Sequence, residues 1–179
     1  MASDGFALFE TAIGICGVAW NERGIIAVQL PERNETATWA RLAGLHPDAV
    51  EQPPPSMVAA AIEAMTTLLR GGEVDLTDIA VDLDRVPEFH RRVYEITRTI
   101  PAGKTLTYGD IARRIGEPHA AQAVGQALGR NPVPIIVPCH RVLGAGGQIG
   151  GFSAPGGAET KRRMLVIEGA LADQPTLFS

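Results

Sequence analysis

Asn131-Pro-Val-Pro-Ile-Ile-Val-Pro-Cys-His-Arg-Val142 is the stretch on which the reading of this chain turns. Val133, Ile135, Ile136 and Val137 are β-branched residues that favour a buried extended strand. Pro132, Pro134 and Pro138 deny the chain a regular helix and prescribe an irregular, stiff path. Cys139 therefore belongs in a rigid apolar wall with His140, a proton acceptor, beside it. Two readings compete at this point. A buried thiol is ordinarily inert because low dielectric raises its pKa, whereas a histidine with a charge behind it reverses that.

The surroundings of this stretch are those of an ordinary globular chain. It has 179 residues, 45% hydrophobic and 20% charged, enough for one large or two small domains with a real core. No apolar run reaches the roughly 18 residues that a bilayer demands, and Met1-Ala-Ser-Asp-Gly-Phe6 lacks the character of a signal peptide. Cys16 and Cys139 form no disulfide framework, and no Cys/His spacing points to zinc. The expectation is a reducing cytoplasm, with no metal and no cofactor. Charge is uneven: residues 1–80 hold 4 Lys/Arg against 11 Asp/Glu, and residues 101–179 hold 8 against 5. Only the second half is suited to a polyanion.

Upstream, residues 12–20, 21–24 and 25–30 read as strand, turn and strand, and Leu76–Leu83 as a third strand. Thr38–Leu45 reads as a short helix. In Met57–Arg70, Met57, Ala61, Met65 and Leu68 share one helical face. Cys16 reads as core and His46 as a surface turn residue. Pro87 opens another helix, with Phe89, Val93, Ile96 and Ile100 turned to the core. Thr107 caps the next, with Asp110 completing a capping box, and Ile111 and Ile115 face inward. After Gly116-Glu-Pro-His119, residues 120–129 form a helix of small residues in which Gln122 and Gln126 are the polar ones. Helix, short turn and bare helix is the plan of a helix-turn-helix, here suited to close approach to a groove more than to reading base edges. Downstream, Gly144–Gly157 is glycine-rich without a P-loop ending, and reads as a loop presenting Phe152 and Ser153 to a pocket. Lys161–Gly169 is a last helix carrying Met164, Leu165 and Ile167 inward, with Glu168 just before its Gly169 stop. The expected architecture is an α/β domain over residues 1–84 (a small antiparallel sheet with helices), a mainly α domain over 85–170 and a tail, 171–179.

Tyr108, Asn131-Pro-Val-Pro134, Pro138-Cys-His-Arg-Val142, Gly150-Gly-Phe-Ser153 and Ile167-Glu-Gly169 together resemble the O6-alkylguanine-DNA alkyltransferases, from about Pro87 to Ala170. That resemblance implies direct-reversal DNA repair: irreversible, single-turnover transfer of an alkyl group from guanine O6, with O4-alkylthymine a second candidate, to Cys139. It implies that His140 deprotonates Cys139 through a water, that Glu168 orients His140, and that Tyr108 donates to N3 of the leaving guanine. Ser153 and its loop would hold O6, Phe152 and Leu128 would wall the base, and the Cys139 and Val142 carbonyls would accept from its amine. Asn131, beside Arg130, would join the recognition helix to the active-site strand. The partner is double-stranded DNA, entered from the minor groove with the damaged nucleotide flipped out. The helix bearing Ala121 usually has an arginine that fills the gap; here Gln122 stands there, which implies weaker binding or slower flipping.

Two alternatives remain, a lesion-binding sensor of the alkyltransferase-like kind and a helix-turn-helix regulator, both without transfer. Cys139 speaks against the first, because such sensors replace that cysteine. The assembled Cys139, His140, Glu168 and Tyr108 speak against the second. Finally, Gln174-Pro-Thr-Leu-Phe178 is similar to the Gln-x-x-Leu-Phe pentapeptides that dock on the bacterial sliding clamp. The other reading of that tail is a frayed terminus packing Leu177 or Phe178 on its own domain. Chemistry at a single site requires no more than a monomer.

Overall fold

The computed structural model describes residues 4–149 and 157–171. Three strands, β1 (Gly5–Thr11), β2 (Gly14–Trp20) and β3 (Ile25–Gln29), form an antiparallel meander. β1 lies where the sequence reading placed no element. Helix α1 (Glu35–Leu45) starts from Asn34, whose side chain accepts from the Ala37 N–H, and it carries the chain back across the sheet. The crossover delivers β4 (Val50–Glu51) parallel to β1, so the sheet, of order β3-β2-β1-β4, is mixed and not purely antiparallel.

Leu76–Leu83 is not a strand. Its segment makes one bridge, Val81 to Ile25, and the Asp75 and Asp82 carboxylates accept from the Thr77 and Asp84 N–H groups. Those local bonds compete with a ladder. Helix α2 (Ser56–Leu69) buries Val58, Ala61, Met65, Leu68 and Leu69, while Met57, expected on that face, is 42% exposed.

In the second half, α3 (Glu88–Thr97) packs against α4 (Tyr108–Ile115) and α5 (Ala121–Gly129). α4 opens on the capping box: Thr107 Oγ1 accepts from the Asp110 N–H while Asp110 Oδ2 accepts from the Thr107 N–H. It closes on Gly116, whose φ of +91° suits glycine. Tyr94 on α3 donates to the Ala127 carbonyl at 2.6 Å and seats α5. Short strands β5 (Leu106–Thr107) and β6 (Val142–Leu143) pair in parallel, β6 directly following the turn at residues 139–141, and α6 (Gly157–Ile167) ends at Gly169, φ +78°.

One apolar core runs through both halves, joining Val18, Trp20 and Met65 to Val93, Ile111, Val133, Ile136 and Met164. A backbone hydrogen bond crosses the seam: the Val28 N–H on β3 donates to the Pro132 carbonyl at 2.9 Å, so the sheet edge holds the start of the proline-rich segment 131–142. Among the described residues no helix is long and apolar enough to cross a membrane.

Candidate active site

Residues 133–137 are buried, as their composition demands, but they do not form an extended strand. The prolines prevail: Val137 N–H returns to the Val133 carbonyl, and Ile135 sits at φ +76°. A β-branched residue in the left-handed region is strained and persists only where its surroundings over-determine it. Asn131 supplies part of that constraint. Its Nδ2 donates to the Val137 carbonyl at 2.8 Å and its Oδ1 accepts from the Val133 N–H at 3.0 Å. The bend delivers Cys139, His140 and Arg141 on a single turn of 3₁₀ helix, all buried.

Beside Cys139 on the same turn begins a three-residue polar network built on the Arg141–Glu168 ion pair. His140 Nε2 stands 3.0 Å from Glu168 Oε1, and both side chains are almost wholly enclosed. That approach lies off the line of a straight hydrogen bond, and His140 Nδ1 has no protein partner among the described residues. Arg141, absent from the expected site, grips the same carboxylate with both arms: Nε to Oε1 at 2.8 Å and Nη2 to Oε2 at 2.7 Å. Its Nη1 donates to the Ile100 carbonyl at 2.6 Å, anchoring the network beyond the end of α3. Burial alone would raise the Glu168 carboxyl, but the Arg141 and His140 contacts outweigh it and hold it at about 2. Burial pushes the His140 imidazole below its usual value, against the pull of Glu168, and Arg141 and Lys161 push the same way as burial. That direction favours the neutral imidazole.

Burial pushes the Cys139 thiol up, opposed by the Asn131 side chain, the Lys161 charge and nearby backbone N–H groups. Lys161 is the second residue missing from the expected site. It is 3% exposed, donates to the Val142 carbonyl at 2.7 Å and lies 5.8 Å from the centre of the Tyr108 ring. Tyr108, half-buried at the start of α4, has its phenol raised by burial and by the Cys139 charge, which favours the protonated form. The Val142 carbonyl, expected to accept from a guanine amine, is already engaged by Lys161, and the Cys139 carbonyl accepts from the Val142 N–H. Each keeps one lone pair for a ligand.

Cys139, Tyr108, Lys161, Leu128, Asn131 and Arg130 share one cavity of about 400 Å³, which continues to Arg41 and His46 on the first half. His46 therefore borders this cavity and is not a plain surface residue. The structure brings Cys139, His140, Glu168, Tyr108, Leu128, Val142 and Asn131 together. Ala121 and Gln122 stand apart at the start of α5, with Gln122 exposed. Phe152, Ser153 and the Gln174–Phe178 tail lie outside the described residues. No group of three or more His, Cys, Asp or Glu suited to a metal occurs among the described residues. Lys161 and Arg141 could be found only by knowing which distant carbonyls and carboxylates they meet. The one local signal was Arg141's place in the pentapeptide.

Comparison with known proteins gives a family and a fold. The family described as "6-O-methylguanine DNA methyltransferase, DNA binding domain" matches residues 88–170. A methylated-DNA–protein-cysteine methyltransferase of Mycobacterium tuberculosis is 44% identical over 128 residues, covering 70% of this chain and 74% of its own. One from Methanosarcina acetivorans is 34% identical over 169 residues, covering 92% and 98%. The crystal structure of Mycobacterium tuberculosis O6-methylguanine methyltransferase superposes with a TM-score of 0.77 at 32% identity, covering 98% of this chain and 99% of that one. A structure of Mycobacterium tuberculosis OGT in complex with DNA gives 0.73 at 33% identity, covering 93% of each.

Proposed function

The chain belongs to the methylated-DNA–protein-cysteine methyltransferase family, which repairs alkylated guanine by direct reversal, and we propose that Cys139 is the residue that takes the alkyl group. The observation that carries this is the placement of the enclosed Cys139 in the same cavity as Tyr108 and on the same turn as a His140–Glu168–Arg141 network. His140 Nε2 is committed to the Glu168 side, which leaves Nδ1 to draw the Cys139 proton through a bridging water. Glu168, pinned by Arg141, orients the ring and offsets the imidazolium charge.

Sulfur attacks the O6-alkyl carbon, the carbon–oxygen bond breaks, and its electrons return to the guanine ring. Tyr108 donates a hydrogen bond to N3 where that charge collects. In net terms the thiol proton replaces the alkyl group on guanine, and a thioether remains. Nothing in a thioether leaves readily, so each molecule acts once. Leu128 and Phe152 wall the base, Ser153 and its loop hold O6, and Asn131 holds the bend. Lys161 favours the thiolate by its charge.

Residues 85–170 do the chemistry and residues 1–84 brace it. The pair α4–α5 serves as a helix-turn-helix that enters the minor groove, with Ala121 allowing close approach, Gln122 filling the gap left by the flipped nucleotide and Arg130 near the backbone. One chain supplies every group, so the working unit is a monomer. Gln174–Phe178 docks on a sliding clamp; removal of residues 174–178 with no change in clamp affinity would refute that. The central test is mass spectrometry after incubation with O6-methylguanine duplex. One added methylene on the peptide holding Cys139 is the expected result. DNA binding without that adduct would point to a sensor or regulator instead.

A further inference from the structure

α5 is nearly bare. On its exposed side the only side chains longer than alanine are Gln122 and Gln126, and Arg130 follows at its end. The thiol is enclosed, so an alkylated guanine reaches it only by leaving the stack, and its departure leaves a gap opposite an orphaned pyrimidine. Gln122 is exposed in the first turn of the helix, and on the proposed docking of α5 it meets that base. This much rests on the reading of α5 given above.

We propose that Gln122 makes the protein indifferent to whether cytosine or thymine stands opposite the lesion. The reason lies in donors and acceptors. O6-alkylation removes the N1–H of guanine, so thymine as well as cytosine can face it. Orphaned cytosine presents an amine donor and the N3 and O2 acceptors; orphaned thymine presents the O4 and O2 acceptors flanking an N3–H donor. A carboxamide has one acceptor oxygen and two N–H donors, so it can pair in two-point fashion with either base. Against cytosine it accepts from the amine and donates to N3. Against thymine it accepts from N3–H and donates to O2 or O4. A guanidinium has five donors and no acceptor, so it suits the N3 and O2 of cytosine and leaves the thymine N3–H facing another donor. Arginine at this position would therefore discriminate where glutamine does not.

The experiment uses the full chain and two duplexes differing only in the base opposite O6-methylguanine. Single-turnover transfer is timed for the wild type, Gln122→Arg and Gln122→Ala, with the alanine variant as the reference that removes the duplexes' own difference in stability. Relative to that reference, the wild type should speed both duplexes equally. Gln122→Arg should favour cytosine over thymine by about fivefold or more, the scale of one mismatched hydrogen bond. If Gln122→Ala is slower than wild type but Gln122→Arg shows no preference for cytosine, the inference is overturned and the gap-filling role survives. If Gln122→Ala matches the wild type on both duplexes, the gap-filling role fails and the inference fails with it.

Discussion

The two cysteines of this chain are both buried and both unpaired, yet their surroundings differ sharply. Cys16 sits mid-strand in β2, fully enclosed, with the Thr11 hydroxyl 3.7 Å from its sulfur and burial pushing its thiol to about 12. Cys139 is nearly as enclosed, but it rides an irregular turn on which an imidazole, a guanidinium, an asparagine amide and a buried ammonium converge. A regular strand spends its polar backbone groups on neighbouring strands and surrounds its inward side chains with apolar ones. A bend made by prolines and an asparagine leaves room for polar partners from distant segments. Burial makes a thiol inert, and the irregular backbone is what lets charge reach it.

The contrast is broken most forcefully by exchanging the sulfurs. Cys139→Ala should abolish methyl transfer, whereas Cys16→Ala should transfer at the wild-type rate and lose only about 1–2 kcal/mol of stability from the vacated volume, read by denaturant titration. Next in size is Glu168→Gln, which keeps the shape but withdraws the charge that holds His140. Transfer should slow by about 10²–10⁴-fold in single-turnover assays. The same variant would strand Arg141 without its counter-ion, so a fall in stability on the order of 3–5 kcal/mol should accompany it. Lys161→Met retains the bulk of the stem and removes the charge beside the thiol; about a tenfold slower reaction is expected, and an unchanged rate would mean that the ammonium serves Val142 alone.

The smaller effects are those of pH. The His140 imidazole lies below its ordinary value of 6.5, so transfer should persist as the pH drops past 6.5 and fail only further into acid. A half-maximal rate at 6.5 or above would contradict a buried neutral base. Glu168 is depressed from 4.5 to about 2, so its contribution to stability is whole above 4.5 and is lost as the pH falls from there to about 2. The thermal midpoint of the wild type should drop across that window, and that of Glu168→Gln should drop less.

Much of the site was legible because its parts announce themselves locally. The Thr107–Asp110 box, the Gly116 and Gly169 stops, and the Pro-Cys-His-Arg-Val run with its neighbouring Asn131 each carry their geometry in a few residues. The prolines foretold the irregular path more truly than the β-branched residues foretold a strand. What escaped was relational. Nothing near Lys161 in sequence says that its ammonium is buried against the Val142 carbonyl and the Tyr108 ring. Likewise Arg141 shows its purpose only once Glu168, 27 residues on, is folded beside it. β1 carries no comparable local signal, and Leu76–Leu83 has the apolar content of a strand, although Asp75 and Asp82 bond their own backbone instead of allowing a ladder.

That separation of 27 residues has a consequence for how the protein is made. Synthesis proceeds from the N-terminus at about 5–20 residues per second, so for a second or more a nascent chain displays Cys139 and His140 without Glu168. On the proposed mechanism the thiol has, during that interval, no oriented base and no finished pocket, and it behaves as any unactivated cysteine. A reagent that can be used only once is thereby withheld until the segment that arms it has emerged and docked.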